Sequence, residues 1–479
     1  MDANLTLRNG LVVAPGGLLR GGLSIRDGRV THVGADATLP QAEQDIDVKG
    51  RVIFPGLIDT NVHLGIGPGA GRDKVERDFR TESRDAALGG VTTIITTTLF
   101  GAESRGEVAE EAIRLGEANS AVDFRLTGVI TQRQHLAEIA DLTKLGVKSF
   151  KFFLGYKGAQ AESFGMNADG ISWDFFYRAC EAIGEAGAQA FPTIHAEDPW
   201  VRGYLNDLLR SRHPKPSADR MLQTWLEANP NILEPMQIYP AALIASEVGV
   251  PVYVVHTSAW QSVDLIRALK DQGVQVYGET LAAFLYWTAA EADAKTREVA
   301  GKVQPPIRAS RDREALWRGI LNGTITSVGT DCQMYPRETR MGDFWDARVG
   351  LGPGMSTLLS AMYTAGVARG RCTLEDLARV LSENNARRFG LYPRKGALAV
   401  GSDADVVVFD PNERHVVDEA QLPSASGYSL YHGEALTAWP WLVLVRGNTV
   451  VRGGAVVGEA GIGRHIGDGA EVQAPHQLA

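Results

Sequence analysis

Cysteine is nearly absent: Cys180, Cys332 and Cys372 are the three in 479 residues. An odd number without C-x-x-C spacing argues against a disulfide framework and a cysteine-based zinc site, and it fits a reducing cytoplasm. Positive charge is also short. Lys and Arg total 48 against 57 Asp and Glu, for a net charge of −9, and the basic residues are scattered. That argues against nucleic acid or an anionic membrane as partner. No apolar run is long enough to cross a bilayer. The opening MDANLTLRNG lacks the basic stretch and apolar core of a signal peptide, so the expectation is a cytoplasmic protein.

Glycine, by contrast, is plentiful at 53 residues, spread between apolar runs as turn positions rather than disorder. The first fifty residues read as short β-rich runs with hairpin-type turns at Asn9-Gly10 and Asp27-Gly28. The far end has the same texture in GSDADVVVFDP and WLVLVRGNTVVRGGAVVG. One small β-domain assembled from both termini, with the middle inserted into it, follows from this pattern. The middle alternates strand and helix. Candidate strands fall at 57–63, 91–98, 123–130, 147–154, 190–196, 250–256, 274–280 and 325–331. Strand–helix alternation implies a parallel sheet, and eight strands close a (β/α)8 TIM barrel, an α/β fold.

Barrel chemistry sits at the C-terminal strand ends. Those ends carry His63, Lys151, His195, His256 and Asp331. Each has an ordinary structural reading alone: a hydrogen-bonded histidine, a surface lysine, a helix-capping aspartate. Together they point to a metal site, because independent accidents do not favour the same end of separate strands. Imidazoles and a carboxylate suit zinc, manganese or related divalent ions. A buried lysine beside cations gives up its proton easily. As a neutral amine it can react with carbon dioxide to a carbamate whose two oxygens bridge two metals.

The motifs FPGLIDTNVHL, KSFKFFLGYKG, TIHAED, VYVVHTS, VYGET, VGTD and KGALAVGSDADVVVFDP, in this order, resemble the amidohydrolase superfamily. The resemblance is greatest to its dihydropyrimidinase and hydantoinase branch, the cyclic amidohydrolases. It implies a barrel over 54–397 and a β-sandwich from 1–53 and 398–460, with a tail over 461–479. It implies one or two divalent ions, zinc before manganese, held by His63, carboxylated Lys151, His195, His256 and Asp331. It implies a homotetramer or homodimer and a small cyclic amide substrate. A metal-activated hydroxide would open a ring C–N bond, with Asp331 moving the proton and Tyr156, five residues after the lysine, stabilising the oxyanion. Tyr156 alone could equally be a packed aromatic.

Several positions depart from the family pattern. Asn61 stands where the first histidine of a His-x-His pair is expected, and its amide oxygen is a weaker ligand than imidazole. Asn61 is then a weak ligand or a donor outside the metal shell. The consequence is two metals, one metal, or a catalytically inactive binding protein on the same fold. Gln304 replaces a substrate-contacting serine, and Thr357 a contacting asparagine or aspartate. Leu358 replaces the arginine that follows, and Cys332 a histidine. The loop GIGPGAGRDKVERDF after His63 is expected to shape the side-chain pocket. These changes leave allantoinase-like or dihydroorotase-like ring opening as alternatives to the hydantoin prototype.

Overall fold

The computed structural model describes residues 3–67, 69–97, 104–187, 189–295, 298–340, 342–352 and 354–467. Eight parallel strands follow one another in the central sheet: Leu57–His63, Val91–Thr97, Asp123–Val129, Ser149–Phe153, Phe191–His195, Val252–Val254, Val276–Leu281 and Ile325–Gly329. Each pairs with its predecessor in sequence, and the sheet curls into a TIM-like barrel. All eight runs named from the sequence are strands, within a few residues at each end. Thr98 lies outside the described residues.

Two strands stop short for a reason that matters to function. The sixth ends at Val254 because His256 turns into the left-handed region (φ 42°). The eighth breaks at Thr330-Asp331, where Asp331 also has positive φ (51°), and resumes as Cys332–Gln333. That two-residue piece pairs in parallel with Val62 and His63 of the first strand. The broken strand thus reaches both ends of the sheet. Positive φ on a non-glycine residue is uncommon and persists only where the surroundings hold it.

The helices between strands bury one face each. Trp173–Ala186 covers Phe175, Phe176, Ala179, Cys180 and Ile183, spaced as one stripe of a 3.6-residue helix. Between the fifth and sixth strands the chain adds the helices Pro199–Arg212 and Met221–Ala228 before the helix Pro235–Val248, which packs on its barrel neighbours Trp173–Ala186 and Trp260–Asp271.

Both termini enter one nine-stranded mixed sheet. N-terminal Val52–Pro55 pairs antiparallel with C-terminal Val406–Phe409, which joins the two halves. The sheet folds back on itself: Val30 donates to the Ser402 carbonyl (2.9 Å), and Leu7, Leu23, Val30, Val408 and Leu444 share one apolar core. Part of the tail is docked. Ile466 is buried, its amide donates to the Phe124 carbonyl (2.8 Å), and the His465 ring packs on Phe124. Residues beyond Gly467 lie outside the described ones.

A buried ion cluster ties this sheet to the barrel. The Lys395 ammonium contacts Asp123 of the third strand (2.6 Å) and Asp405 of the sheet (2.5 Å), with Asp403 at 3.4 Å. Arg446 also pairs with Asp123. Removing one partner of a buried pair strands the opposite charges. Lys395→Met should therefore cost about 3–5 kcal/mol of stability, measured by urea denaturation; a loss below about 1 kcal/mol would show that the cluster is not what holds the two units.

Candidate active site

Strand alternation aims residues i and i+2 at the same side, so Asn61 and His63 leave the first strand together. They meet Asp331 from the eighth. His63 Nε2 lies 2.9 Å from Asp331 Oδ1, and Asn61 Nδ2 donates to the same oxygen at 3.1 Å. The other ring nitrogen of His63 is fixed by Thr97 Oγ1 of the second strand at 2.5 Å. A second pair forms from the fifth and sixth strands: His195 Nδ1 lies 2.9 Å from His256 Nε2. His195 Nε2 contacts the buried Glu197 carboxylate at 2.9 Å. A carboxylate there favours the proton on Nε2 and leaves Nδ1 as the electron-pair donor.

Lys151 arrives from the fourth strand. It is 2 % exposed, and its amine has no hydrogen-bond partner among the described residues. Burial pushes its pKa down to about 8, opposed by the charges of Asp331 and Glu279. Burial also holds His195 below the usual histidine range, and His256 well below it, with His195 adding to the effect on His256. Neutral imidazoles are the form that ligates metals.

The donor set fits a divalent cation in part. Among the described residues, three His, Cys, Asp or Glu ligand atoms come within 4.8 Å of one another only at Asp123, Asp403 and Asp405. There Lys395 and Arg446 already supply the positive charge. The mouth instead holds two pairs, His63 with Asp331 and His195 with His256. Each pair is short of a donor, and the unpartnered Lys151 amine stands among them.

Beneath this layer lies a polar network that the sequence patterns did not reveal. Asp59 accepts from the Thr330 amide (3.1 Å) and hydroxyl (2.5 Å), closing the eighth strand onto the first. Glu279 accepts from Thr60 Oγ1 (3.0 Å), which also contacts Tyr253. Burial raises Asp59 to about 6 and Glu279 to about 8, each added to by a neighbouring carboxylate. VYGET and LIDTNVH contain both residues, but alternation alone does not say that two acids on the first and seventh strands face each other.

Above the donors, His63, Lys151, Tyr156, His195, His256, Gln304, Asp331 and Gln333 line a narrow inner chamber. Its volume is about 10 Å³, the room of a single water. It meets a vestibule of about 570 Å³ walled by Tyr156, Gln160, Arg202, Gln304, Tyr335 and Arg348, among others. Tyr156 belongs to both spaces. Its ring stacks on Phe153 (centroids 5.0 Å, planes 10° apart). Burial and the Asp331 charge raise its pKa, so the phenol keeps its proton.

Gln304, read from the sequence as a substrate contact, lines both the chamber and the vestibule. Thr357, read in the same way, lies elsewhere. It is fully buried in the turn Met355–Thr357, donates to the Gly354 carbonyl (3.2 Å) and lines neither space. The earlier part of the same segment, Val349 and Gly350, reaches the vestibule instead. A short helical turn packed on the helix Arg72–Leu88, with the Ser356 amide donating to Asp85 (3.1 Å), draws Thr357 away. Of the loop after His63, Ile66 reaches the chamber; Gly67 sits against the Tyr335 ring, and the helix begins at Arg72. Pro68 lies outside the described residues. Residues missed from sequence include Arg202 and Gln160, which come from helices, and Gln333, which comes from the short strand after Asp331; none of them has a motif.

Replacing Thr330 by Val removes the hydroxyl that meets the buried Asp59 carboxylate. The expected loss is about 1–3 kcal/mol, the cost of leaving a buried acceptor short of a partner. Chemical denaturation checks this, and an unchanged midpoint would show that the contact does not secure barrel closure.

The chain is similar to known proteins over nearly its whole length. The family model described as Amidohydrolase family matches residues 247–450. The D-hydantoinase of Ralstonia pickettii is 30% identical over 475 residues, covering 97% of this chain and 98% of that protein. The L-hydantoinase of Paenarthrobacter aurescens is likewise 30% identical, with 97% and 98% covered. The solved L-hydantoinase (dihydropyrimidinase) of Arthrobacter aurescens superposes with a TM-score of 0.85 at 28% identity, covering 97% of this chain and all of that one. With full-length identity, fold and motif order in agreement, the chain belongs to the amidohydrolase superfamily, in its hydantoinase/dihydropyrimidinase branch of cyclic amidohydrolases.

Proposed function

We propose that this protein is a metal-dependent hydrolase opening a C–N bond in a cyclic amide, imide or ureide, with hydantoin and dihydropyrimidine rings as prototypes. The observation that carries the reading is Lys151: a buried amine without a partner, between two incomplete pairs of ligand side chains. No hydrogen bond among the described residues offsets the cost of burying this amine, and burial disfavours its charged form. As a carbamate it would supply anionic oxygen donors, and both pairs are short of a donor.

His63, Asp331 and Lys151 would hold one divalent ion, with Asn61 as a weak oxygen donor or a contact outside the shell. His195, His256 and Lys151 would hold the other. Imidazole donors favour zinc over manganese. Such ions supply positive charge that polarises a carbonyl and makes water a stronger nucleophile near neutral pH.

The chain's own groups account for the remaining steps. The vestibule admits the ring, and Tyr156 directs an O–H toward the carbonyl oxygen as negative charge builds there. Asp331 accepts a proton from the attacking water and returns it to the departing ring nitrogen. The water oxygen bonds to the carbonyl carbon, the C–N bond breaks, and its nitrogen leaves as N–H. A hydantoin would give an N-carbamoyl amino acid. Glu197 and Thr97 keep the two histidines in the orientation described.

Elemental analysis of protein purified without chelator, with bicarbonate and zinc or manganese supplied, tests the metal reading. Two equivalents per chain mean that Asn61 is tolerated in a binuclear centre. One equivalent means a mononuclear enzyme, in which Asn61→His should add a second ion. No bound metal sinks the hydrolase reading and leaves a binding protein. In an enzyme that opens hydantoin or dihydrouracil, Asp331→Asn should lower kcat by about 10²–10⁴-fold, the usual worth of a positioned acid–base. A kcat within about threefold of the parent would rule out the assigned proton transfer.

A further inference from the structure

We infer that Arg202 and Gln304 form a subsite for an acidic substituent on the substrate, so that the preferred ring carries a carboxylate. The inference rests on the cyclic-amide reading above and names the substrate class for it.

Arg202 projects from the helix Pro199–Arg212 into the vestibule wall and is 8 % exposed. Its Nη2 donates to Gln160 Oε1 at 2.6 Å. Gln160 Nε2 in turn donates to Gln304 Oε1 at 3.2 Å. This relay fixes both ends. With its oxygen engaged, Gln304 is left with an amide N–H group, and that nitrogen is buried without a hydrogen-bond partner. Arg202 Nη1 is likewise buried and without one. Two donors beside one cavity, each more than nine-tenths buried by residue and both unmet, mark where an acceptor belongs.

The acceptor is anionic because one donor is a guanidinium. Arg202 has a carboxylate nearby, but not a satisfying one. Glu197 Oε2 is 3.8 Å from Nη1, beyond hydrogen-bond reach, and is already engaged by His195 at 2.9 Å. The other cations of the wall differ from Arg202 in being either paired or exposed. Lys302 donates to the carbonyls of Phe344, Trp345 and Ala347, and the exposed Arg348 lies over the Tyr335 ring. Among the wall's acids, Asp346 is paired with Arg210 (2.8 Å), and Asp207 is solvent-exposed. Gln304 and Tyr156 line both the vestibule and the inner chamber. A ring with its reacting carbonyl at the donors and its substituent pointing outward would thus place a carboxylate near Arg202. The match is a charge-assisted hydrogen bond from the Arg202 Nη1 to a carboxylate oxygen.

The test compares hydantoin-5-acetic acid with its neutral isostere, hydantoin-5-acetamide, on metal-loaded protein. Binding is measured by calorimetry and ring opening by kcat/KM. The parent protein should favour the acid by about tenfold or more in both readouts, a charge-assisted hydrogen bond's worth. Arg202→Gln should bring the acid-to-amide ratio near one, and Arg202→Lys should restore part of it; melting temperatures confirm that the variants fold. A parent ratio near one overturns the subsite. So does a ratio unchanged in Arg202→Gln, which is what a residue that merely positions Glu197 would give. If neither compound is turned over, the hydrolase reading fails. The binding ratio still decides the subsite, since it does not depend on catalysis.

Discussion

The barrel closes on a break in its eighth strand, and the mouth depends on that break. Ile325–Gly329 pairs with the seventh strand and Cys332–Gln333 with the first. Between them Asp331 takes a left-handed backbone that costs energy for any residue with a Cβ. The cost is offset by Asp59, whose buried carboxylate accepts two hydrogen bonds from Thr330. The result turns the Asp331 side chain to meet His63 and Asn61 instead of leaving it in the strand's pleat. Geometry at a strained point of the fold therefore creates the first donor pair.

Burial does the rest of the electrostatic work. At the mouth, desolvation pushes Lys151 and the two histidines toward their neutral forms and Asp59 and Glu279 toward theirs. A low-dielectric pocket full of near-neutral ligands is poised to gain from added positive charge. The same physics is resolved differently at Lys395, where three aspartates and Arg446 neutralise one another. One buried lysine is satisfied and structural; the other is unmet and lies in a cleft, which is why only Lys151 suggests chemistry.

Recognition is built farther out, on elements that are not barrel strands. The inner chamber is too small for more than a water, so a substrate's bulk must sit in the vestibule. Its walls come from the helix after the fifth strand, the segment around Gln304 and the loop before Met355. These segments connect barrel elements, the part of such folds that generally carries specificity.

The amino-acid pattern by itself determined the alternation of strand and helix, the two-ended β-domain, and which strands end in His63, Lys151, His195, His256 and Asp331. Those are periodic, local properties: a strand's apolar run and the polar residue that ends it are adjacent in sequence. The tertiary structure alone decided that Thr357 turns into the core, that Asp59 and Glu279 face each other beneath the mouth, and that Arg202, Gln160 and Gln304 join in one relay. These contacts link positions 42 to more than 200 residues apart, through side-chain directions on helices and loops that carry no periodic signal. Strand order could be counted from the chain, but which donor is left without a partner could be known only after every neighbour had been placed.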